Sequence, residues 1–421
     1  MKKLPAESIY YIRAATGELN SGLIFTSIWV LYYTVMELSL IEVSVLYIVL
    51  TVSNFILEIP TGIVADLYSR RLSVIIGGIF VGLAFMTVGI FPFFAIALLA
   101  GFIEAIGDTC ISGALQAWIT DEVGENNVGN VFLRGRQVAT PAGWVGVILS
   151  IGLAAWMNYQ APIILGGGLW LLLTIFLILY MPETNFKKNT EINRQSWRDQ
   201  MKASWATFAE GIRLVRGSTT LQALFWAFLL GSAFADGFYK FSRAHVLQSF
   251  TLPIITLPLL GALKDNLWFG VLEMLQGLFC LAGAEIIRRK IKLSDRGAAA
   301  RTLLSLSAMT TVAVVIFTLT QHFGLAMATW VIVGGLQNLS TPITEAWMNQ
   351  NIPSKIRATL ISMSSQAGMV GTLGINTGLG AFGDRFGVRR ALGLSSIILL
   401  PMMLIYARKK DGAQNGCDEL V

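Results

Sequence analysis

The sequence predicts an all-α integral membrane protein of about twelve transmembrane helices, arranged as two six-helix halves. Of its 421 residues, 54% are hydrophobic and 13% are charged, whereas soluble domains carry about 25% charged residues. Apolar runs of about 20 residues recur from end to end, and each can cross a hydrocarbon core roughly 30 Å thick as a helix. A single long polar stretch divides these runs into two sets of six. The pattern excludes a soluble fold.

The helices are predicted where the apolar runs lie. In chain order the predicted spans are 14–35, 42–65, 72–91, 94–119, 131–156, 162–182, 219–246, 266–288, 298–319, 323–347, 358–381 and 388–407. The first half therefore covers residues 1–182 and the second 219–407, with a linker at 183–218 and a tail at 408–421. Within the linker, apolar residues from Trp197 to Val215 recur at helical spacing, which predicts an amphipathic helix on the inner leaflet.

Basic residues are concentrated on one side of the predicted topology. The net charge is +6, and a basic chain suits either nucleic acid or a membrane surface. If the amino terminus is cytoplasmic, 25 of the 31 lysines and arginines fall in cytoplasmic segments, which is the positive-inside bias of membrane proteins. The charge therefore predicts a multi-pass protein of a plasma (inner) membrane, of prokaryotic type, with both termini in the cytoplasm. No nucleic-acid partner is expected.

A weak internal repeat supports the division into halves. The dipeptide Ala117-Trp118 leads into a cytoplasmic loop, and Ala346-Trp347 does the same 229 residues later. Two glycines follow each dipeptide at near-matching positions, Gly143 and Gly146 in the first half and Gly368 and Gly371 in the second. A shared offset indicates duplication. Parallel six-helix halves are a known transporter architecture in which the substrate site lies between the halves near mid-membrane.

The loop between the second and third spans carries a recognisable motif. The segment Glu58–Arg71 contains Gly62, then Asp66 four residues on, then the basic pair Arg70 and Arg71. It resembles the loop motif of the major facilitator superfamily, with Ser in place of the usual second Gly. In that family the motif acts as a latch between the halves, so the resemblance implies a gating role for these four residues. Gly62 is expected to permit a close backbone approach.

Two further stretches, Ser112–Glu122 and Ile352–Met363, resemble the tetracycline and macrolide efflux branch of that superfamily. The resemblance covers nearly the whole chain. It implies the superfamily fold and a secondary transporter that exports a drug-like amphipathic compound in exchange for protons, as in multidrug resistance. A second motif-like segment, Gly383–Arg390, falls on the outer side of the predicted topology, where the gating role does not carry over.

An acidic pair stands out within the predicted fourth span. Glu104 and Asp108 lie four residues apart near its middle, so both carboxylates share one helical face. Two carboxylates this close resist joint ionisation, and one of them can therefore hold a proton near neutral pH, as proton antiport requires. The alternative is that each carboxylate pairs with an arginine of a neighbouring span, such as Arg134 or Arg136, and has a structural role.

Other polar residues within the spans are weaker candidates for the same functions. Glu18 and Asp236 are further proton-coupling candidates, although Asp236 shares a face with Lys240 and Arg243 and can form a local ion pair there. Candidates for lining a cavity, or for hydrogen bonds between helices, are Asn20, Glu273, Gln276, Gln337, Asn338 and Asn376. Candidates for the gate, besides the loop motif, are Glu58, Arg134, Arg136 and Glu345.

The expected partners are a small-molecule substrate, protons and the lipid bilayer, and the chain is expected to act as a monomer. No nucleotide-binding Gly-x-x-x-x-Gly-Lys-Ser loop occurs in the sequence, which argues against direct coupling to ATP. No catalytic cluster, cofactor or metal site is expected either. The alternatives are an uptake carrier, a lipid or metabolite transporter of the same fold, and a non-transporting membrane receptor.

Overall fold

The computed structural model describes residues 4–185, 213, 215–217, 219–257, 261–263, 266–290, 296–351 and 357–411. The chain forms two compact units. One comprises Met1–Lys202 with Leu252–Gly270, and the other comprises Ala203–Thr251 with Val271–Val421. The predicted amphipathic helix of the linker falls almost entirely outside the described residues. The side chains of Asp66 and Glu345 also lie outside the description.

Six long helices build the first unit. They are α1 (Ala6–Val30), which continues into a π-helical turn at Leu31–Val35, α2 (Leu40–Leu67), α3 (Arg70–Ile90), α4 (Phe94–Val123), α5 (Glu125–Trp156) and α6 (Gln160–Tyr180). In this unit α1 packs on α5 and α6, α3 packs on α4 and α6, and α2 packs on α4.

Two helices of the first unit, α2 and α3, begin with side-chain caps. The Ser39 hydroxyl accepts from the backbone N–H of Glu42, while the Glu42 carboxylate accepts from the backbone N–H of Ser39, so that α2 begins with a capping box. Ser69 caps α3 in the same way by accepting from the N–H of Leu72. Between α4 and α5 the chain turns at Gly124, whose φ of 81° favours glycine.

The second unit also consists mainly of long helices. They are α7 (Thr219–Ser249), α8 (Asn266–Lys290), α9 (Arg296–Leu319), α10 (Phe323–Asn351), α11 (Arg357–Phe386), α12 (Val388–Ile397) and α13 (Leu399–Asp411). After α7 comes a hairpin of two short antiparallel strands, β1 (Ile255–Leu257) and β2 (Gly261–Leu263). The sequence did not predict this hairpin, which belongs to the first unit, where its second strand packs on α5.

The fold class predicted from the sequence is confirmed, since α1 to α11, with α12 and α13 together as a twelfth, correspond one by one to the predicted spans. Within the described residues, ten stretches are long and apolar enough to cross a membrane. The first and eleventh helices are outside that set. α1 begins at Ala6, eight residues before the predicted span, and so takes Arg13 into the helix. The last span breaks at Ile398 because Pro401 has no N–H to donate to the carbonyl of Ile397.

Close contact between α1 and α5 depends on small residues. A Cβ added to Gly146 would lie 2.0 Å from the backbone oxygen of Leu19, so only glycine allows this approach. Ser150 donates to the backbone oxygen of Leu23 and shares a hydrogen bond with Ser27. In the second unit, a Cβ on Gly371 of α11 would lie 2.8 Å from the backbone oxygen of Leu229 in α7. The matching glycine contacts support the duplication inferred from the sequence.

Candidate functional site

The acidic pair lies on α4 of the first unit, as the sequence indicates. The side chain of Glu104 is half-buried, and that of Asp108 is exposed. Neither carboxylate makes a hydrogen bond or an ion pair with the residues that the structure describes. Two side chains of the first helix and its extension lie within electrostatic range of the pair, since Arg13 interacts with Asp108 and Tyr32 with Glu104. The acidic pair therefore has no fixed hydrogen-bond or ion-pair partner among the described residues.

Tyr32 belongs to the π-helical turn at Leu31–Val35 that ends the first span. Such turns often occur at functional sites, because the extra residue per turn redirects the side chains that follow. Here the turn brings Tyr32 into the electrostatic neighbourhood of Glu104. The sequence analysis did not select Tyr32, and no pattern in the chain marks a π-helical turn in advance.

The arginine that faces the acidic pair differs from those considered in the sequence analysis. Arg136 forms an ion pair with Glu18, with 2.8 Å between Nη1 and Oε1. Arg134 is exposed on α5, and the structure shows it paired with neither Glu104 nor Asp108. Arg13 instead supplies the positive charge near Asp108. It was counted as a cytoplasmic flank because the predicted first span began one residue after it.

An open pocket of about 370 Å³ adjoins Arg13 in the first unit. Its lining comes from α1, α5 and α6 and includes Tyr10, Arg13, Gly17, Glu18, Phe132, Gly135, Arg136 and Trp170. The lining residues of α1 recur at intervals of three and four, so they form one helical face. This stripe of small, polar and aromatic residues is the sequence signal by which Arg13 could have been found.

Asn20 lies deeper in α1 and is completely buried. Its exposed fraction is 0%, and neither its side-chain oxygen nor its side-chain nitrogen has a hydrogen-bond partner among the described residues. A buried amide without partners is unfavourable by roughly 1–3 kcal/mol for each unsatisfied group. Asn20 is therefore buried in the helical packing of the first unit without the hydrogen bond between helices that was one of its two expected roles.

A second group of charges lies on α7. Asp236 forms an ion pair with Lys240 one turn further on and also accepts from Nδ2 of Asn376 at 2.9 Å. Arg243 pairs with Glu273 of α8, and its guanidinium lies 3.6 Å above the centre of the Tyr239 ring. Both cations are fully buried, with exposed fractions of 1% for Lys240 and 0% for Arg243. These charges are mutually neutralised, unlike the acidic pair on α4.

The remaining cavity candidates are dispersed in the second unit. Gln276 donates weakly to the backbone oxygen of Trp330 at 3.4 Å, and the indole of Trp330 donates to Ser242. Gln337 lines a separate pocket of about 160 Å³, whereas Asn338 is exposed. Asn376 is buried against Gly237, and its side-chain amide donates a hydrogen bond to Asp236.

The loop motif forms a compact polar cluster in the first unit. Arg70 pairs with Asp121 near the end of α4 and donates to the backbone oxygen of Ala117 at 3.0 Å. Arg71 donates to the backbone oxygen of Ile178 at 2.6 Å, near the end of α6. Sequence reasoning missed the role of Asp121, although it lies in a quoted segment. The basic pair thus joins the start of α3 to the ends of α4 and α6.

Glu183 links the same cluster to the beginning of the linker. Its carboxylate accepts from the hydroxyl of Ser69 at 2.6 Å and from the backbone N–H of Arg71 at 3.0 Å. An anion is favourable there because the amino terminus of α3 presents unpaired N–H groups. Trp118 donates to the backbone oxygen of Pro182 at 2.5 Å. These contacts fix the point at which the chain leaves the first six helices.

The expected close approach at Gly62 is not seen, because a Cβ added there would meet no described atom within 4 Å. Glu58 is exposed near the same end of α2. Arg389, in the second motif-like segment, caps the carboxyl end of α9 by donating to the backbone oxygens of Thr318 and Leu319. That arginine therefore stabilises a helix end, which gives the segment a structural role within its own unit.

Comparison with known proteins identifies the family. A model described as "Major Facilitator Superfamily" matches residues 14–375. An uncharacterized MFS-type transporter, YxaM of Bacillus subtilis (strain 168), is 24% identical over 404 residues, which are 95% of this chain and 94% of YxaM.

Solved structures share the fold. A POT family transporter in complex with a thioalcohol-conjugated peptide gives a TM-score of 0.70 at 12% identity, covering 96% of each chain. The nucleoside transporter NupG gives 0.68 at 11% identity, covering 96% of this chain and 99% of NupG. The protein is a polytopic membrane transporter of small molecules and not an enzyme. It belongs to the major facilitator superfamily.

Proposed function

We propose that this transporter exports a small amphipathic compound in exchange for protons, by alternating access. The resemblance of Ser112–Glu122 and Ile352–Met363 to the tetracycline and macrolide efflux branch supports the direction and the kind of cargo. Glu104 and Asp108 are proposed to carry the coupling proton or to share it. Transport would use two alternating conformations of the protein.

The observation that carries this proposal is the absence of a fixed partner for the acidic pair. Among the charges described above, the second unit balances two acids against two bases on α7 and α8. The corresponding set in the first unit comprises three acids, Glu18, Glu104 and Asp108, and two bases, Arg13 and Arg136. One negative charge is left over, and one proton neutralises it. A carboxylate that must be neutralised within a membrane is suited to coupling.

The two halves differ at the equivalent positions. At the repeat offset of 229 residues, Gln337 matches Asp108 and Val333 matches Glu104. Neither residue can ionise at physiological pH. Proton handling is therefore assigned to the first six helices, and the second unit supplies a stable partner whose buried charges are already paired.

The loop motif is proposed to control the conformational change. Gly62, Asp66, Arg70 and Arg71 form the gate, with Glu58, Arg134, Arg136 and Glu345 as further gate candidates. Support comes from the polar cluster in which Arg70 and Asp121 pair and Glu183 caps α3. The Arg70–Asp121 pair is only half-buried, with side chains 21% and 29% exposed, so solvent screens it and it can be broken and remade in a transport cycle.

The test has two parts. Cells that lack the major efflux pumps are grown with tetracycline, erythromycin or ethidium, with and without this protein, to find a transported compound. Accumulation of that compound in inverted membrane vesicles is then measured under an imposed pH gradient. The proposal predicts uptake into inverted vesicles that collapses with an uncoupler. The proposal is contradicted if accumulation in inverted vesicles is unaffected by the uncoupler. It is also contradicted if the cells take up the compound instead of exporting it.

A further inference from the structure

We infer that the pocket beside Arg13 in the first unit is a binding site for an organic anion with a planar aromatic body. The juxtaposition that points to it is an arginine without an ion-pair partner among the described residues, in a pocket that is also lined by three aromatic side chains. This inference rests on the proposed function, because the bound anion would be the transported compound. It specifies the chemical class of the cargo.

Arg13 is the first element of the argument. It lies in α1, about two turns after the helix begins at Ala6. It forms no hydrogen bond or ion pair with the described residues, and its Nε is buried without a partner. A guanidinium carries five donors in a fixed fork and keeps its charge at every physiological pH. Removing such a group from water is costly unless an anion faces it.

The charged and titratable groups around Arg13 leave the N–H donors of its guanidinium available to a ligand. Glu18 and Asp108 act on it electrostatically, as does Tyr10, but none of them bonds to it. Glu18 is instead engaged by Arg136 at 2.8 Å. The local potential is therefore balanced without any of the donors of Arg13 being used. A carboxylate, sulfonate or phosphate of a ligand fits the fork in a bidentate manner.

Three aromatic side chains, Tyr10, Phe132 and Trp170, line the pocket beside Arg13, together with the Glu18–Arg136 pair and small residues. The Arg13 guanidinium lies 5.5 Å from the centre of the Trp170 ring, and the rings of Tyr10 and Phe132 are 5.9 Å apart. Gly135 makes room for this arrangement, since a Cβ there would lie 2.6 Å from the Tyr10 ring. Aromatic faces favour flat, apolar ligands. The volume of about 370 Å³ suffices for a one- or two-ring compound.

The competing interpretation is that Arg13 serves only to attract Asp108 and never contacts a ligand. The two interpretations differ in what they require of the compound. A site built on Arg13 needs a negative charge on the ligand, whereas a pocket of aromatic walls alone binds a neutral ring equally well. A pair of ligands that differ only in charge therefore separates them.

The experiment measures equilibrium binding of salicylate and of its neutral analogue salicylamide to the purified full chain in detergent. The wild type is expected to bind salicylate at least about tenfold more tightly, as is typical when a charged group is hydrogen-bonded. Arg13→Gln should remove the preference, and Arg13→Lys should retain part of it. Arg408→Gln, which removes an exposed arginine at the end of α13, should leave the preference unchanged.

Gly135→Leu gives an independent test, because it fills the pocket without changing any charge. It should weaken salicylate binding at least about tenfold, even if Arg13→Gln does not fold. Equal affinity for the two ligands, or a preference that survives both Arg13→Gln and Gly135→Leu, would overturn the inference. No proton gradient is present in this measurement, so its failure leaves proton-coupled export intact. Failure of the vesicle experiment likewise leaves the binding result standing.

Discussion

At the residue scale, two ion pairs that glutamates form between helices differ in burial. The pair between Glu18 and Arg136 is open, with side chains 39% and 76% exposed, whereas the pair between Glu273 and Arg243 includes a cation with no exposure at all. Exposed pairs contribute little because water screens them, while removal of one partner from a buried pair leaves an uncompensated charge.

We therefore predict opposite outcomes for two matched substitutions. Glu273→Gln should destabilise the protein by about 3 kcal/mol, because Arg243 is left buried without its carboxylate. Glu18→Gln should change stability by less than about 1 kcal/mol. Thermal unfolding of the purified variants in one detergent provides the comparison. Equal loss of stability in both would show that burial does not govern these pairs.

At the residue scale, the sequence was sufficient to select candidate side chains within one helix but not to identify their neighbours on other helices. Depth and helical spacing were sufficient to select Glu104 and Asp108, because both properties follow from position along one helix. Their neighbours Arg13 and Tyr32 were missed, since contacts between helices depend on packing that the sequence does not state. Arg136, which the alternative interpretation offers as a partner of the acidic pair, pairs with Glu18 instead.

At the element scale, the contact between α1 and α5 is governed by glycine. Gly146 and Gly152 lie on the same helix, but a Cβ on Gly146 would clash with the oxygen of Leu19 at 2.0 Å, and one on Gly152 would meet nothing within 4 Å. Gly146→Ala should thus destabilise the protein by about 1–3 kcal/mol through overpacking. Gly152→Ala should be neutral or slightly stabilising, because alanine favours helix. Thermal unfolding distinguishes them, and two equal effects would contradict the packing argument.

The loop between α2 and α3 gives a second prediction at this scale. Asp66 lies one residue before the end of α2 and four before Arg70, where the family motif places its acidic residue. Asp66→Asn should lower transport several-fold at normal expression and stability, because the gate would no longer favour one of its two conformations. The matched control is Asp384→Asn in the second motif-like segment, which should transport normally. Normal transport by Asp66→Asn would remove Asp66 from the gate.

The elements themselves were largely predictable. Length and hydropathy placed the twelve spans because a helix that crosses lipid must be long and apolar throughout. The first span was begun too late because Arg13 was taken as a boundary, and the last was drawn unbroken although Pro401 interrupts it. The β1–β2 hairpin was not foreseen, since segments of three residues carry too short a pattern.

At the scale of the whole molecule, the distribution of charge predicts the orientation in the membrane. With both termini and residues 183–218 in the cytoplasm, 25 of the 31 basic residues fall in the segments that the sequence predicts to be cytoplasmic. Single cysteines at Thr190→Cys and Gln414→Cys, in a chain without its native cysteines, should therefore resist an impermeant maleimide added to intact cells. They should react after the cells are opened. Labelling in intact cells would show that the topology is inverted.

The central claim for the whole molecule is that the pair on α4 couples transport to protons. The direct test measures accumulation of a transported compound in proteoliposomes. The liposomes contain Glu104→Gln, Asp108→Asn or the double variant, and Glu37→Gln, at an exposed position, is the control. An amide cannot alternate between protonated and ionised forms. Accumulation driven by a pH gradient should therefore vanish in the double variant and persist in the control.

Exchange of compound across the membrane without a gradient should remain partly intact in the double variant, because the proposed binding pocket is lined by α1, α5 and α6 and not by α4. That result separates lost coupling from lost folding. If the double variant still accumulates the compound under an imposed pH gradient, the pair on α4 does not carry the proton. The coupling role would then belong to Glu18 or Asp236.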